Sequence, residues 1–330
     1  MPRALVTGGA GFIGSHMVDA LLAEGFEVRV IDNLSTGHLD NLAHHRRDSR
    51  LTFEQIDMCD VPAGAPLFHG VDFMFHFGGI GDIVPSIERP VEYVRANVTG
   101  TIAMLEGGRR AGIQKFVYAA SSSCYGLAEV PTAETAPIRP EYPYALSKYL
   151  GELSALHWAQ VYGLPVVSIR MFNVYGPRVR TTGAYGAVFG VFLAQKANGR
   201  PLTVVGDGTQ RRDFVYVTDV VRAFLMAARS EYTGDVFNLG AGNPQSVKRL
   251  VELIGGPLVH VPKRPGEPEC TWADVGKITS CLGWKPLIPF EEGVANMLRD
   301  LSTWASAPVW TPESIAAATD NWFTYLSKRP

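Results

Sequence analysis

The sequence predicts an α/β protein with a doubly wound parallel sheet and a smaller C-terminal α/β domain. In the N-terminal half, short β-rich runs alternate with helical stretches, and most of these runs are almost continuously apolar. Such runs are typical of strands that helices cover on both faces of a sheet. A glycine-rich segment follows the first run, and a length of 330 residues corresponds to about two domains.

The predicted elements follow one another at short intervals. Strands are predicted at residues 3–7, 28–32, 51–57, 71–77, 115–121 and 166–170, and helices at 12–25, 90–112 and 144–163. After Gly176 and Pro177 the glycines, prolines and aromatic residues are spaced irregularly. There we predict helices at 188–198 and near 291–304, and we expect the runs 214–217 and 236–238 to return to the main sheet.

A glycine-rich loop lies between the first strand and the first helix. It reads GGAGFIG, with Gly8 as its first residue and Gly14 as its last. Glycines let the backbone turn tightly and approach a pyrophosphate, whose charge then lies at the helix N-terminus. Asp32 ends the second strand, where a carboxylate binds the adenosine ribose 2′-hydroxyl and repels a 2′-phosphate. This combination predicts a Rossmann-type domain that binds NAD, and the alternative is an ordinary glycine turn.

Tyr144 and Lys148 begin the helix that follows Pro143. Residues four apart in a helix lie on one face, about 6 Å along the axis. A phenol is a poor base at neutral pH, but a nearby ammonium lowers its pKa. We therefore expect Lys148 to turn Tyr144 into a usable acid–base group. The alternative is an ordinary surface pair, because this spacing is common by chance.

Three hydroxyls end the strand at 115–121 and begin the next loop, namely Ser121, Ser122 and Ser123. The carboxyl end of such a strand faces the cofactor crevice, so one hydroxyl could bind a substrate oxygen and hold it against Tyr144. The alternative is a set of turn contacts, which we expect for at least one of the three.

Composition excludes several classes of function. Hydrophobic residues make up 46% of the chain and the formal net charge is −2, so the chain has no basic field to attract nucleic acid. The sequence has no apolar run of the roughly 18 residues that a membrane span needs, and no signal-peptide pattern. Its cysteines, Cys59, Cys124, Cys270 and Cys281, form no CxxC pair and favour reduced thiols in the cytoplasm.

The chain resembles extended short-chain dehydrogenases/reductases, and within them nucleotide-sugar 4-epimerases of the UDP-glucose/UDP-N-acetylglucosamine 4-epimerase type. The resemblance runs from Arg3 to about Trp304. The motifs that carry it are TGGAGFIGS, Asp32-Asn33, Asn97, SSSCYG, YALSK, RMFNVYGPR, GDGTQRRDFVYVTD and KRPGEPECTWAD.

The resemblance implies a role for each matching residue. The residues that would hold NAD are Gly8, Gly11, Phe12, Ile13 and Gly14 at the pyrophosphate, Asp32 and Asn33 at the adenosine ribose, Asp57 and Met58 at adenine, Lys148 at the nicotinamide ribose, and Phe77, Gly78, Gly79, Asn97 and Tyr144. The catalytic set would be Tyr144, Lys148 and Ser121, flanked by Ser122 and Ser123. Substrate contacts would come from Ser86, Ser122, Ser123, Tyr144, Asn173, Arg178, Val188, Arg212, Arg264 and Glu267.

The resemblance also implies a division of the chain. Residues 1–173 would form the NAD-binding Rossmann domain, with 213–239 returning to it, and 174–212 with 240–305 would form the substrate domain. Residues 306–330 lie outside the resemblance, and their aromatic residues indicate that this tail packs on the body or on a partner subunit. Relatives of this kind pair through two long helices, which implies a homodimer.

The sequence departs from the family pattern at several positions. Related dehydratases and decarboxylases carry acidic residues where this chain has Ser122 and Ser123. Cys124 is one position out of register for the family's cysteine-dependent members, so we expect a small packed residue. The usual apolar-Ala-Ala is replaced by Phe77 and two glycines, a change that bears on the sugar pocket. Asp82 disfavours a sugar acid, and Thr271 leaves room for an N-acetyl group.

The resulting expectation is an NAD-dependent enzyme that inverts C4 of a UDP-hexose through a 4-keto intermediate. Alternatives are decarboxylation or 4,6-dehydration of a nucleotide sugar, or a non-catalytic NAD-binding regulator. His44 and Asp48 could share a helix face as metal ligands, but the sequence shows no third ligand nearby, so we expect solvated charges and no metal.

Overall fold

The structure, a computed structural model, describes residues 1–179 and 188–326. Its strands are β1 Arg3–Thr7, β2 Glu27–Asp32, β3 Leu51–Gln55, β4 Phe73–His76, β5 Lys115–Ser121, β6 Val166–Met171, β7 Asn173–Tyr175, β8 Leu202–Val205, β9 Arg211–Arg212, β10 Phe214–Tyr216, β11 Asp235–Leu239, β12 Gln245–Ser246 and β13 Leu258–Val261. Its α-helices are α1 Phe12–Ala23, α2 Val84–Glu88, α3 Pro90–Val94, α4 Thr101–Ala111, α5 Pro143–Tyr162, α6 Val188–Ala197, α7 Val217–Arg229, α8 Val247–Ile254, α9 Gly276–Leu282, α10 Phe290–Arg299 and α11 Pro312–Leu326.

The main sheet has seven parallel strands in the order β11-β6-β5-β4-β1-β2-β3. The chain moves outward from β1 in one direction through β2 and β3, and in the other through β4, β5 and β6. Ligands of doubly wound sheets bind beyond the carboxyl ends of the strands where this direction reverses, here between β1 and β4. The predicted Rossmann-type fold class is confirmed.

Alternate residues of the central strands enter two separate cores. Leu5 pairs in register with Met74, and both belong to the core on one face; Val6 pairs with Phe75, and both belong to the core on the other. All four side chains are completely buried. Apolar residues at consecutive positions are therefore required, because helices cover both faces of the sheet.

The two returning segments behave differently. Residues 235–239 form β11 at the edge of the main sheet, as expected for 236–238. The expectation for 214–217 was wrong, because β10 instead pairs with β7 in a separate two-stranded sheet. Phe214 and Tyr216 pack with Tyr175 in a third apolar core formed largely by residues after 174. A short apolar run predicts that its residues are buried, but it does not predict in which of the cores they lie.

The C-terminal segment packs on the body as far as the structure describes it. Ile315, Thr319 and Trp322 of α11 are buried, whereas residues 327–330 lie outside the described part. None of the described helices has the length and apolarity that a membrane crossing requires. The division into two domains stays a prediction.

Candidate active site

A large cleft of about 1060 Å³ opens at the carboxyl ends of the central strands. Most of the residues predicted to bind cofactor or substrate line it, and these are Gly8, Gly11, Phe12, Ile13, Gly14, Asp32, Asn33, Asp57, Met58, Phe77, Gly78, Gly79, Ser121, Ser122, Ser123, Tyr144, Lys148, Asn173, Arg178, Val188, Arg212, Arg264 and Glu267. Ser86 and Asn97 are not among the lining residues. The fold therefore gathers segments from the whole chain into one site.

The glycine loop makes a compact turn into α1. Gly8 has φ +67°, and a Cβ on Gly14 would lie 2.2 Å from the Gly8 carbonyl oxygen. Among the described residues, no side chain caps the N-terminus of α1, which begins at Phe12 on the cleft wall. The first backbone N–H groups of a helix have no partner within the helix and carry partial positive charge. This end of the cleft is suited to an anion.

Asp32 is held rigidly where β2 ends. Its Oδ2 accepts a hydrogen bond from the Ala10 amide at 3.0 Å, and its Oδ1 accepts one from the Leu34 amide at 2.8 Å. Burial raises the pKa of Asp32, and these two amides offset part of the effect. The carboxylate thus connects the glycine loop to the strand end and borders the cleft beside it.

The opposite wall of this half of the cleft is formed by Asp57 and Met58. Asp57 Oδ1 accepts a hydrogen bond from the Cys59 amide, and its Oδ2 accepts from Arg95 at 3.0 Å and from Asn33 at 3.3 Å. These contacts join the ends of β2 and β3 to the segment at 95–100. The Met58 side chain packs against the loop that follows β4. A Cβ on Gly78 in that loop would lie 2.8 Å from Met58 Sδ.

Tyr144 and Ser121 meet at the centre of the cleft. Tyr144 is the second residue of α5, and its Oη donates a hydrogen bond to Ser121 Oγ at 3.3 Å. Ser121 Oγ also accepts from the Ser123 amide at 3.2 Å, which is the turn contact that the sequence favoured for one of the serines. Ser122 and Ser123 continue along the cleft wall.

Burial dominates the pKa of Tyr144 in this structure, and the expected effect of Lys148 on it stays a prediction. Burial raises the pKa of Tyr144; the Ser121 hydrogen bond opposes this shift and Asp82 adds to it. No hydrogen bond joins Tyr144 to Lys148 in the residues that the structure describes. Burial also lowers the pKa of Lys148 to about 8, and its Nζ lies 4.6 Å from the centre of the Tyr118 ring. Sequence spacing placed the two groups on one helix face but gave no information about desolvation.

The loop after β4 explains the two glycines that replace the family's alanines. A Cβ on Gly79 would lie 2.5 Å from Asn97 Oδ1, and a Cβ on Gly78 would lie 2.8 Å from Met58 Sδ. Asn97 is buried behind this loop, where Oδ1 accepts from the Ile80 amide at 2.8 Å and Nδ2 donates to the Ile80 carbonyl at 3.0 Å. Asn97 thus positions the cleft wall through Ile80, and its predicted cofactor contact stays a prediction.

The predicted substrate contact of Ser86 also stays a prediction. Ser86 is completely buried, and its hydroxyl donates to the Ile83 carbonyl at 2.5 Å within its own turn. The loop at 78–81 lines the cleft together with Asp82 and Ile83, and α2 begins at the next residue, Val84.

Cationic side chains line the far half of the cleft and are already oriented. Arg212 Nη2 lies 2.7 Å from Glu267 Oε1, and Arg264 Nη1 lies 3.8 Å from Glu267 Oε2. Asn173 Oδ1 accepts a hydrogen bond from Thr271 at 2.8 Å. One carboxylate between two guanidinium groups preorganises donors that match phosphate oxygens.

Sequence reasoning missed several residues of the cleft, chiefly Tyr142, Gln210, Ile315 and Trp322. The ring of Tyr142 lies nearly parallel to that of Tyr144, with centroids 6.3 Å apart. Its place two residues before Tyr144 is the one signal that could have found it. Ile315 and Trp322 belong to α11, and nothing in their local sequence predicts a contact with the cleft.

The metal-ligand pair considered in the sequence is not formed. His44 and His45 both contact Asp19 Oδ1, at 2.8 and 2.9 Å, whereas Asp48 pairs with Arg50. Arg178 lies 2.8 Å from the other oxygen of Asp19, so a cation already neutralises this carboxylate. The contact also draws the guanidinium of Arg178 toward α1. Burial raises the pKa of the Cys124 thiol to about 12, in line with a packed residue.

Comparisons with known proteins identify the family of this chain. The model of the NAD dependent epimerase/dehydratase family matches residues 4–240. UDP-glucose 4-epimerase from Mycolicibacterium smegmatis is 35% identical over 304 residues, covering 89% of this chain and 96% of that protein.

Two solved structures share the fold. UDP-N-acetylglucosamine 4-epimerase from Methanobrevibacter ruminantium, in complex with UDP-N-acetylmuramic acid, gives a TM-score of 0.86 at 30% identity and covers 90% of this chain and 97% of that one. UDP-glucuronic acid 4-epimerase from Bacillus cereus, in complex with UDP-glucuronic acid and NAD, gives 0.85 at 29% identity and covers 91% of this chain and 99% of that one.

Proposed function

Because the chain belongs to the NAD-dependent epimerase/dehydratase family and uses NAD as its cofactor, we propose that it inverts C4 of a UDP-hexose. The observation that carries this proposal is the pair of hydroxyls, Tyr144 and Ser121, at the centre of the cleft. The two residues that follow Ser121 are also serines. The chain therefore lacks, at these positions, the carboxylates that dehydratases use to eliminate water. Relatives at this level of identity act on several sugars, so the sugar itself belongs to the proposal.

The residues of the cleft fit NAD. The N-terminus of α1, which no described side chain caps, suits the pyrophosphate, and the fixed Asp32 carboxylate suits the adenosine ribose. The carboxylate of Asp32 would repel a 2′-phosphate, which favours NAD over NADP. When bound, NAD accepts a hydride from the sugar and later returns it.

Tyr144 is the acid–base group of the proposed reaction. In its phenolate form, Tyr144 Oη would take the proton of the sugar 4-hydroxyl, and it would later return that proton to the oxygen on the inverted C4. Ser121 Oγ lies 3.3 Å from Tyr144 Oη and would stabilise the charge that develops on the substrate oxygen. Lys148 supplies positive charge at the floor of the cleft, although burial makes its ammonium easier to deprotonate.

The diphosphate anchors the substrate while the sugar turns. Arg212 and Arg264 are held in place by Glu267, so little side-chain freedom is lost when a diphosphate binds. Thr271, hydrogen-bonded to Asn173, is small and leaves room for an N-acetyl group. A substrate fixed at its diphosphate can turn its 4-keto sugar, so that either face of the sugar meets the same hydride donor, the reduced NAD.

A neutral hexose suits this cleft better than a sugar acid. Asp82 lines the cleft, and its charge raises the pKa of Tyr144, which places it in electrostatic contact with the reacting group. A carboxylate on the sugar would meet this charge. We therefore favour UDP-glucose, UDP-galactose or their N-acetylamino forms.

We also propose a homodimer that forms through α4 and α5. On α5, Leu146, Leu153 and Val161 are 46%, 42% and 53% exposed and recur at intervals of seven and eight residues, as an apolar stripe does. Light scattering should give the mass of a dimer, and Leu153→Glu should shift it to a monomer. A wild-type protein that is monomeric at micromolar concentration would refute this pairing.

The test of the proposed function is a substrate panel read by proton NMR. The protein is incubated with UDP-glucose, UDP-galactose and their N-acetylamino counterparts. We expect interconversion of C4 epimers in at least one pair, with no loss of water. Release of water or, with UDP-glucuronate, of carbon dioxide would instead identify a dehydratase or decarboxylase, and bound NAD without any turnover would support a regulator.

A further inference from the structure

The C-terminal helix α11 connects α2 to the segment that carries Arg264. On one side, Trp322 Nε1 donates to the Pro265 carbonyl at 2.7 Å, next to Arg264. On the other, Asn321 Nδ2 donates to Glu88 Oε1 of α2 at 2.9 Å. Trp322 and Ile315 both line the cleft. The helix therefore forms a wall rather than an appendage.

The sequence of α11 is organised for this position. Thr311 and Ser314 exchange hydrogen bonds between side chain and backbone at its start, and Pro312 occupies the first turn. These are features of a well-defined helix N-terminus. Ile315, Thr319 and Trp322 form one buried stripe, whereas Tyr325 is 64% exposed. The helix therefore packs on the body of the protein through this buried stripe.

The segment leading to α11 is tethered as well. Gln195 of α6 donates from Nε2 to the Trp310 carbonyl at 2.7 Å, and Asn198 donates to the Ala305 carbonyl at 3.2 Å. Gln195 is itself completely buried and also bonds Thr203. These contacts fix where the helix begins, so its position over the cleft does not depend on Trp322 alone.

An aromatic series connects this wall to the catalytic tyrosine. The ring of Trp322 lies 5.7 Å from that of Tyr142, and Tyr142 lies 6.3 Å from Tyr144 with the two planes 7° apart. Tyr93 contacts the other side of Tyr144 edge-on at 6.5 Å. Contacts of this kind stabilise the positions of the rings. Trp322 thus supports Tyr142, which in turn fixes the ring of Tyr144.

The two solved structures do not account for the whole of this chain. The two solved structures are covered over 97% and 99% of their length, but they account for only 90% and 91% of this chain. The resemblance in sequence ends near Trp304, before α11 begins. About a tenth of the chain thus has no counterpart in those structures.

We propose that Trp322 is a specificity-determining and positioning residue that closes the sugar end of the cleft. This inference rests on the proposed function. Oxidation of the C4 hydroxyl moves its proton to Tyr144 and its C4 hydrogen, with the electron pair, to NAD. The ketone must then stay bound until it is reduced again. Trp322 keeps the 4-keto sugar enclosed while it turns, and each ketone that escapes leaves one reduced cofactor behind.

Three variants test this role. Trp322→Ala removes the wall, Trp322→Phe keeps a ring against Tyr142 but loses the hydrogen bond to Pro265, and Tyr325→Ala is the matched control on the exposed face of the same helix. Binding of UDP and of UDP-glucose to the NAD-loaded proteins is measured by calorimetry. We expect Trp322→Ala to leave the affinity for UDP unchanged and to weaken UDP-glucose binding by roughly tenfold, a difference of about 1.4 kcal/mol. Trp322→Phe should retain most of the wild-type affinity for UDP-glucose.

The second readout is the absorbance of reduced cofactor during incubation with a hexose substrate. Trp322→Ala should accumulate reduced cofactor and lose activity progressively, whereas wild type and Tyr325→Ala should not. Unchanged UDP affinity shows that the variant is folded. If Trp322→Ala matches Tyr325→Ala in both readouts, the inference is overturned. If wild type converts no UDP-hexose, the proposed function fails, and the ratio of UDP-glucose to UDP affinity still decides whether the wall contacts the sugar.

Discussion

Tyr144 Oη donates a hydrogen bond to Ser121 Oγ at 3.3 Å, although the two residues are separated by 23 positions in the chain. Ser121 ends β5 in the middle of the sheet, and Tyr144 begins the long helix α5 that crosses it. A strand end and a helix start, both fixed by burial, thus bring two hydroxyls to one point of the cleft. The predicted chemistry depends on this pair.

Replacing Tyr144 by Phe should abolish most of the turnover. The ring and its stacking on Tyr142 remain, but the group that carries the proton is lost, which costs on the order of 10²–10⁴ in rate. Initial rates by NMR and circular dichroism of the folded protein test this. Tyr162→Phe, at the other end of the same helix, serves as the control and should retain full activity. A Tyr144→Phe protein of near-wild-type rate would remove this residue from the mechanism.

Asp32→Ala should weaken NAD binding and reduce the discrimination against NADP. Hydrogen bonds to a charged group contribute about 1.5–3 kcal/mol, so the loss should be roughly 10- to 100-fold in affinity. Calorimetric titration with both cofactors measures it, with the exposed Asp40→Ala as control. An unchanged preference for NAD would count against the ribose contact.

The helix that carries Tyr144 and Lys148 is anchored by a buried ion pair. Glu152 on α5 contacts Arg170 of β6 at 2.6 Å, and Arg170 also donates to the Tyr125 hydroxyl at 2.7 Å. Glu152→Ala leaves the Arg170 guanidinium buried and unpaired, so the free energy of unfolding should fall by about 3–5 kcal/mol.

Urea denaturation measures that effect, and Glu92→Ala is the matched control. Glu92 pairs with Arg89 at 3.0 Å, but both side chains are more than half exposed, so its loss should change stability by less than about 1 kcal/mol. Equal effects of the two substitutions would show that the buried pair does not anchor α5.

The glycine pair after β4 gives a prediction about loop packing. A Cβ on Gly79 would lie 2.5 Å from Asn97 Oδ1, whereas nothing lies within 4 Å of a Cβ on Gly81. Gly79→Ala should therefore displace Asn97 and lower both NAD affinity and turnover, while Gly81→Ala should resemble wild type. Calorimetry and the NMR assay compare the two. Equal behaviour of the variants would mean that the loop accommodates the methyl group.

The sequence predicts those parts of the site that follow from local pattern. The glycine loop, Asp32 and the Tyr144–Lys148 spacing are each defined within a few residues of a strand or helix end, and the structure places them in one cleft. The position of Asn97 depends on its contact with Ile80, 17 residues earlier in the chain, and the pKa of Tyr144 depends on its burial. Local sequence does not encode these quantities.

The contribution of α11 was beyond prediction for a different reason. Its aromatic residues indicate that the tail packs on something, but Trp322 reaches Tyr142 across 180 positions of the chain. A single sequence contains no signal for such a contact. The same holds for the pairing of β10 with β7, where an apolar run could have entered either core.

The most direct test of the central claim is a reaction in D2O with the preferred UDP-hexose, in which the product is analysed at C4 by NMR. If Tyr144 exchanges only the hydroxyl proton while the C4 hydrogen leaves and returns with NAD, the inverted product carries protium at C4, and Tyr144→Phe gives almost no product. Deuterium at C4 would mean that the carbon loses a proton to solvent, and it would contradict the account.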